Sequence, residues 1–223
     1  MFIGFYNYTV ILTYFGLASS LVGMAEAING NYRMAVMCLL ISGVCDMFDG
    51  IVARTHKKRT RDEKRFGVQI DSLCDVVCFS VFPAVLGLCL CPANMFTVLC
   101  CVFFVLAGVI RLAFFNVQEQ TREETEAGKR EYYLGMPVTA SALIMPVVTL
   151  ITAIDKVNWA YLYPTCLLVL GLLNISRFRV RKPYMVGIVC MVLAGALVFF
   201  LAYRYGGNIT CMKTLSVTGV GNV

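Results

Sequence analysis

The sequence predicts an all-α protein that crosses a membrane several times. Of its 223 residues, 59% are hydrophobic and only 14% are charged, whereas soluble domains carry about 25% charged residues. Apolar runs of about 18 or more residues, the length of a membrane-spanning helix, recur along the chain. We therefore expect a polytopic, multi-pass membrane protein that contacts lipid and has no nucleic-acid partner.

Seven apolar segments are predicted to be spans, and short polar connections separate them. Aromatic residues such as Trp159 and Tyr203 lie near segment ends, as is typical of the membrane interface. The predicted spans are Tyr8–Ile28, Met34–Val52, Val68–Cys91, Met95–Phe115, Leu134–Ile154, Trp159–Ile175 and Tyr184–Tyr203.

The connections alternate in charge, and this alternation predicts which side of the membrane each one occupies. Three connections are charged, namely Arg54–Gly67, Gln118–Tyr133 and Arg177–Pro183, and together they hold most of the 19 lysines and arginines. Basic loops stay in the cytoplasm. The N-terminus is then predicted to lie inside, and seven spans place the C-terminus outside.

Four aspartates interrupt the second and third spans as two pairs, Asp46 with Asp49 and Asp71 with Asp75. A charge at the bilayer centre costs about 2.5–3.5 kcal/mol, so these acids need a function. Since each helical residue turns the chain by about 100°, each pair lies near one face. Four carboxylates that meet between two helices repel one another unless a cation neutralises them. All-oxygen ligation suits hard divalent ions, so the pattern predicts two Mg²⁺ or Mn²⁺ ions.

Acids inside a membrane can also form a structural polar network, or they can line the ion pathway of a cation transporter. Small residues beside the acids favour an enzyme, because they let the backbone and a bulky substrate approach closely. They are Gly50, Ala53 and Gly67. The neighbouring Arg54 suits an anionic ligand, because a guanidinium binds oxyanions with two parallel hydrogen bonds.

Most of the eleven cysteines lie inside the apolar runs, and the only histidine is His56. A buried free cysteine behaves as a small hydrophobic residue. We therefore expect the cysteines to pack in the protein interior rather than to form a thiolate metal site.

From Asp46 to Asp75 these residues form the pattern D-x-x-D-G-x-x-A-R, a spacer, and G-x-x-x-D-x-x-x-D. The pattern resembles the signature of the CDP-alcohol phosphatidyltransferases, integral membrane enzymes that move a phosphatidyl group from a CDP-linked lipid to a small alcohol. Every signature position is present. The spacer, Thr55–Phe66, is longer than is common in bacterial members.

The resemblance implies a role for each aspartate. Asp46, Asp49 and Asp71 would hold the metal ions, which would bridge the diphosphate of the CDP-lipid. Asp75 would contact metal and also act as the general base on the acceptor hydroxyl. The residues that would line the CDP-lipid pocket are Gly50, Ala53, Arg54 and Gly67.

Three further stretches, residues 66–84, 111–116 and 133–137, resemble the phosphatidylserine synthases of the bacterial and archaeal type within this family. CDP-diacylglycerol and L-serine would then be the substrates. Arg111 would clamp the serine carboxylate, and Asn116 would assist by hydrogen bonding. A sister enzyme that uses glycerol 3-phosphate or an inositol phosphate is the closest alternative, and a cation transporter is the more remote one.

The resemblance also implies an architecture. A six-span catalytic domain would occupy residues 1–183, an additional span residues 184–205, and a polar tail residues 206–223. The active site would face the cytoplasm between the second, third and fourth spans, and the protein would form a homodimer. Ser80 stands where a glycine is usual in the family.

Overall fold

The part of the chain that the structure describes folds almost entirely into helices, which confirms the predicted fold class. The computed structural model describes Gly4 and residues 8–55, 60–92, 94–124, 132–154, 161–177, 179–181 and 185–205. Its α-helices are α1 (Ile11–Ile28), α2 (Tyr32–Thr55), α3 (Arg61–Asp75), α4 (Phe82–Leu90), α5 (Met95–Glu124), α6 (Ser141–Ile154), α7 (Leu162–Ile175) and α8 (Met185–Tyr205). Its other elements are the 3₁₀-helices Tyr8–Val10 and Val138–Ala140, the π-helical segment Val76–Val81, and the strands β1 (Tyr132–Leu134) and β2 (Arg179–Arg181).

Several helices have the length and composition of membrane spans. Three described helical stretches are long and apolar enough to cross a bilayer: Ile11–Ile28, Asp62–Leu90 and Met95–Thr121. Shorter apolar helices, also within the described residues, are Val138–Ile151, Leu162–Ile175 and Leu193–Arg204. Helix α2 is 24 residues long and carries the first pair of acids. These helices indicate an integral membrane protein.

The third helix begins at Arg61, well before the predicted start at Val68, so this predicted boundary is wrong. The cause is a capping box. The backbone N–H of Glu63 donates to Oγ1 of Thr60 at 3.2 Å, and the N–H of Thr60 donates to Oε2 of Glu63 at 2.8 Å. These two bonds satisfy N–H groups that a helix start otherwise leaves unpaired. Much of the predicted connection Arg54–Gly67 is therefore helical.

Two later boundaries are also wrong. Helix α5 continues past the predicted end at Phe115 to Glu124. The fifth span was predicted from Leu134, but that residue belongs to β1, and α6 begins only at Ser141. Between them the chain turns at Gly135, whose φ of +72° is a conformation that glycine adopts without steric cost.

A short antiparallel ribbon, which the sequence did not predict, joins the connection after α5 to the connection after α7. In this ribbon Leu134 of β1 lies opposite Arg179 of β2, and Tyr132 lies opposite Arg181. Backbone groups of β1 bond across to β2, which explains why this segment does not begin the next helix. The ribbon places both connections on the same side of the bundle.

Helices α1 and α2 pack closely through small side chains. A Cβ atom at Gly16 would lie 3.2 Å from Cβ of Cys45, so only glycine fits there without a small shift of the neighbouring helix. Slightly further along, the hydroxyl of Ser20 donates to the hydroxyl of Ser42 at 2.9 Å. This close approach brings α1 against the face of α2 that carries the acids.

Large buried side chains from α2, α4 and α5 form the core, including Leu39, Phe82, Leu86 and Phe104. Helix α8 packs against α2 and α6. The Arg33 guanidinium lies 4.6 Å from the centre of the Tyr203 ring, a cation–π contact between the start of α2 and the end of α8. The predicted seventh span is thus an integral part of the helix bundle.

Candidate active site

The structure brings carboxylates from two helices into one cluster. Asp46 and Asp49 of α2 and Asp71 of α3 each place a carboxylate oxygen within 4.8 Å of the others. Asp49 is buried, and the other two are partly exposed. The helical spacing explains the geometry on α2, because residues three apart share a face. Asp71 joins them only because α3 folds back beside α2.

Asp75 lies one turn beyond Asp71 on α3. It lines a small cavity together with Asp46 and Asp49, so all four predicted aspartates border one site. The polar and small residues that also line this cavity are Thr13, Gly16, Ser42, Cys45, Cys74 and Cys78.

Helix α1 contributes a residue that no pattern in the sequence singles out. The hydroxyl of Thr13 donates to Oδ2 of Asp49 at 3.1 Å, and both side chains are buried. Hydrogen bonds of this kind fix the orientation of a carboxylate that binds metal. A threonine in an apolar helix is too common for its presence alone to have revealed this contact.

The donor set fits a divalent cation. Within the described residues, the three aspartates are the only tight cluster of possible metal ligands, and no thiol joins it. Carboxylate oxygens are the ligands that hard divalent ions prefer. Three negative charges at this separation are stabilised when a cation lies between them.

The cysteines that the structure describes lie mostly in the protein interior. The nine cysteines whose side chains the structure describes are free thiols, and most of them are buried. Three of these, Cys45, Cys74 and Cys78, lie beside the aspartates, where they form part of the cavity wall.

The residues predicted to line the CDP-lipid pocket lie close to the acids in sequence and on the same two helices. Gly50 follows Asp49 on α2, and a Cβ atom at Gly50 would meet nothing within 4 Å, so space is open beside the acids there. Gly67 lies on the first half of α3 and is partly exposed. Ala53 and Arg54 belong to the last turns of α2, but their side chains lie outside the described residues.

Arg111 and Asn116 line two different cavities. Arg111 borders a cavity of about 160 Å³ between α5 and the end of α7, where Nη1 donates to the carbonyl of Asn174 at 3.3 Å. Asn116 borders a cavity of about 130 Å³ between α3 and α5, and its Oδ1 accepts from the Ser72 hydroxyl at 2.8 Å. Five residues separate the two on one helix, which turns their side chains about 140° apart.

Glycine at position 135 makes room for the Arg111 guanidinium. A Cβ atom there would lie 2.6 Å from Nη1 of Arg111 and 2.9 Å from the carbonyl oxygen of Ser176. Any larger side chain would have to displace the guanidinium. The turn after β1 therefore packs directly against Arg111.

Comparison with known protein families gives the class of this protein. The family model for CDP-alcohol phosphatidyltransferase matches residues 6–173, a region that contains all four aspartates. The chain therefore belongs to the CDP-alcohol phosphatidyltransferase family. Members of this family use a divalent metal, in agreement with the acidic cluster.

Individual relatives resemble the chain over part of its length. A CDP-diacylglycerol–serine O-phosphatidyltransferase of Saccharomyces cerevisiae is 35% identical over 118 residues, which cover 52% of this chain and 41% of the yeast protein. One from Helicobacter pylori is 29% identical over 176 residues, covering 74% and 69%. An archaetidylserine synthase of Methanothermobacter thermautotrophicus is 31% identical over 134 residues, covering 60% and 53%. The chain thus spans less than half of the yeast relative.

Proposed function

We propose that this protein transfers the phosphatidyl group of CDP-diacylglycerol to the hydroxyl of L-serine, forming phosphatidylserine and releasing CMP. The observation that carries this proposal is the convergence of Asp46, Asp49 and Asp71 within a chain of this family. The similar proteins from yeast and Helicobacter pylori, which are named for transfer to serine, support the choice of acceptor.

Asp46, Asp49, Asp71 and Asp75 would hold two divalent ions, Mg²⁺ or Mn²⁺. The donor set supports this assignment, because it consists of carboxylate oxygens, and Asp46, Asp49 and Asp75 border one small cavity. Bound cations would neutralise the carboxylates and stabilise the negative charge that develops on the diphosphate and the departing CMP.

Asp75 would act as the general base. An alcohol is a poor nucleophile until a positioned base removes its proton. Asp75 borders the cavity but lies outside the tight cluster of three, so one of its oxygens can face the acceptor hydroxyl. Its carboxylate would take the proton from the serine hydroxyl as the oxygen–phosphorus bond forms.

The remaining signature residues would bind the CDP-lipid. The open space beside Gly50 supports close approach of the nucleotide to α2. Ala53 and Gly67 would keep the adjoining walls small, and Arg54 would hold the diphosphate through its planar set of donors.

Arg111 would bind the carboxylate of serine. The guanidinium carries five N–H donors, so it can hold the carbonyl of Asn174 and a carboxylate at the same time. Asn116 lies on the other side of α5, where its bond to Ser72 ties α5 to the helix that carries Asp71. Asn116 would therefore contact the serine from the side that faces α3.

The active site would face the cytoplasm, with the N-terminus inside. The support for this orientation is the concentration of lysine and arginine in residues 54–67, 118–133 and 177–183, which hold 14 of the 19 such residues. The protein would act as a homodimer, as the family resemblance implies.

The alternative functions are less well supported. Relatives named for transfer to serine do not favour an enzyme that uses glycerol 3-phosphate or an inositol phosphate. Membership in a phosphatidyltransferase family does not favour a cation transporter.

The proposal is tested by incubating the purified full chain with CDP-diacylglycerol, Mn²⁺ or Mg²⁺, and one acceptor at a time. We expect CMP release with L-serine and little release with glycerol 3-phosphate or inositol phosphate. Mass spectrometry should identify phosphatidylserine as the lipid product. CMP release that depends on a phosphorylated acceptor instead would contradict the serine assignment.

A further inference from the structure

The chain leaves the α-helical pattern directly after Asp75. The segment Val76–Val81 is π-helical, and at its end the backbone N–H of Phe82 donates to the carbonyl of Val77, five residues earlier. One extra residue in a turn shifts the helix faces before and after it by about 100° relative to each other. Such π-helical turns inside α-helices are frequent at functional sites.

The helix that follows the π-helical segment is fixed by the core. Phe82, Leu86 and Leu90 of α4 are fully buried. This face of α4 cannot turn without exposing those side chains. The orientation of α4 is therefore fixed, and the π-helical segment between α3 and α4 determines the direction in which Asp75 points.

Pro83 removes one backbone hydrogen bond from this segment, and a side chain of another helix replaces it. Proline has no N–H, so the carbonyl of Phe79, four residues earlier, cannot receive the usual α-helical hydrogen bond. A buried carbonyl without a hydrogen-bond partner destabilises the folded protein. The hydroxyl of Ser141, the first residue of α6, donates to that carbonyl at 2.7 Å, and the bond is buried.

Helix α5 accommodates the same segment from another side. A Cβ atom at Gly108 would collide with Oγ of Ser80, and it would lie 4.0 Å from Cγ1 of Val138. The Ser80 hydroxyl is fully buried and has no hydrogen-bond partner among the residues that the structure describes. The π-helical segment is thus held by close packing against α5 and by the polar bond from Ser141.

We propose that Ser141 is a positioning residue, and that its bond to the Phe79 carbonyl holds the π-helical turn that directs Asp75 toward the other aspartates. The role of Asp75 rests on the proposed function. Ser141 would act through the backbone of the segment that follows Asp75.

The first test replaces Ser141 by alanine and measures steady-state CMP release. We expect Ser141→Ala to lower kcat about ten-fold or more, with KM for each substrate changed less than about three-fold. Ser141→Thr, which keeps the hydroxyl, should retain most of kcat. Thr149→Val is the matched control, because the buried Thr149 hydroxyl on the same helix donates locally to the Met145 carbonyl at 2.8 Å; it should leave kcat near wild type. A kcat for Ser141→Ala within about three-fold of wild type would overturn the proposal.

A double variant separates positioning from simple loss of stability. Pro83→Ala restores a backbone N–H that can satisfy the Phe79 carbonyl and lets the segment relax to an α-helix. In the Ser141→Ala background it should restore thermal stability while kcat stays low, because Asp75 is then directed differently. Recovery of kcat together with stability would overturn the proposal. If Ser141→Ala alone does not fold, kcat is measured in the double variant instead.

A metal-binding measurement tests the role of Ser141 without relying on the proposed catalytic activity. Mn²⁺ titration of the purified protein, followed by electron paramagnetic resonance, needs no turnover. We expect the dissociation constant for Mn²⁺ to rise about ten-fold in Ser141→Ala and to stay near wild type in Thr149→Val. If the wild-type protein releases no CMP, the proposed function fails, and Mn²⁺ binding decides the positioning role: equal affinities of wild type and Ser141→Ala would overturn it.

Discussion

The hydroxyl of Thr13 lies 3.1 Å from Oδ2 of Asp49 and donates a hydrogen bond to it, although 36 residues separate the two in sequence. Both side chains are buried where α1 packs against α2. The bond fixes one acid of the cluster from a helix that supplies none of the four aspartates. Helix α1 is therefore part of the candidate site.

Removal of this bond should weaken metal use. Thr13→Val has nearly the same shape as the wild type but cannot donate, so we expect CMP release to fall about 10- to 100-fold at limiting Mn²⁺. Thr13→Ser keeps the hydroxyl and should stay close to wild type. The measurement is the rate as a function of Mn²⁺ concentration. An unchanged Mn²⁺ dependence in Thr13→Val would show that this bond does not orient the Asp49 carboxylate.

Removal of divalent metal should abolish turnover. The candidate site offers carboxylate oxygens, which bind hard cations, so dialysis against a chelator should stop CMP release. Added Mg²⁺ or Mn²⁺ should restore it. A control sample that is dialysed without chelator accounts for losses in handling. Undiminished activity after exhaustive chelation would exclude a metal-dependent site.

Asp75→Asn should nearly abolish turnover in a protein that remains folded. The loss of a general base typically lowers the rate by about 10²–10⁴-fold. Asp62→Asn is the matched control, because Asp62 is an exposed aspartate in the first turn of the same helix. Gel filtration in detergent and thermal unfolding check the fold. If Asp75→Asn retained a rate within a few-fold of the control, another group would have to act as the base.

Arg111→Lys should raise the KM for serine far more than the KM for CDP-diacylglycerol. Lysine keeps the charge but loses the planar pair of donors, and one lost charge-assisted hydrogen bond costs about 1.5–3 kcal/mol, or roughly 10- to 100-fold in affinity. Gly135→Ala should act in the same direction, because its Cβ atom would displace the Arg111 guanidinium.

Ethanolamine is the control acceptor for this pair of variants, because it lacks the carboxylate. It should be a poor acceptor for the wild-type protein and should respond little to either substitution. Both variants should keep the wild-type KM for CDP-diacylglycerol. An unchanged KM for serine in a folded Arg111→Lys protein would assign Arg111 a structural role at the end of α7, where it holds the Asn174 carbonyl.

Cysteine labelling tests the predicted orientation. In a cysteine-depleted background, a cysteine at the exposed Lys64 should be protected from a membrane-impermeant thiol reagent in intact cells. A cysteine at the exposed Asn29, in the short connection between α1 and α2, should react. Both should react after the membrane is opened. The opposite pattern would place the acids on the side away from the cytoplasm.

Sequence-based prediction of this fold is least accurate at the ends of the helices. The apolar pattern placed every predicted span on a helix, because an apolar run of this length has few alternatives in a membrane. It placed the start of α3 too late, since the capping box at Thr60 extends the helix through charged residues. It also missed the strand at Leu134, because that strand depends on pairing with Arg179 on a distant segment.

The sequence by itself determined the class of protein and the faces on which the acids lie. A helix repeats every 3.6 residues, so the spacing of Asp46 and Asp49, and that of Asp71 and Asp75, placed each pair near one face. The residues that resemble the family signature are also close in the chain, between Asp46 and Asp75. These features depend on residues that are close in the chain, and so they could be predicted without the fold.

Only the tertiary structure determined which residues of other helices contact those faces. It brought Thr13 to Asp49 and directed Arg111 and Asn116 into separate cavities. It also placed the hydroxyl of Ser141 against the carbonyl of Phe79, which has no α-helical partner because Pro83 lacks an N–H. Each of these relationships depends on how one helix packs against another. The free energy of that packing is spread over many small contacts between distant residues, and no local pattern in the sequence encodes it.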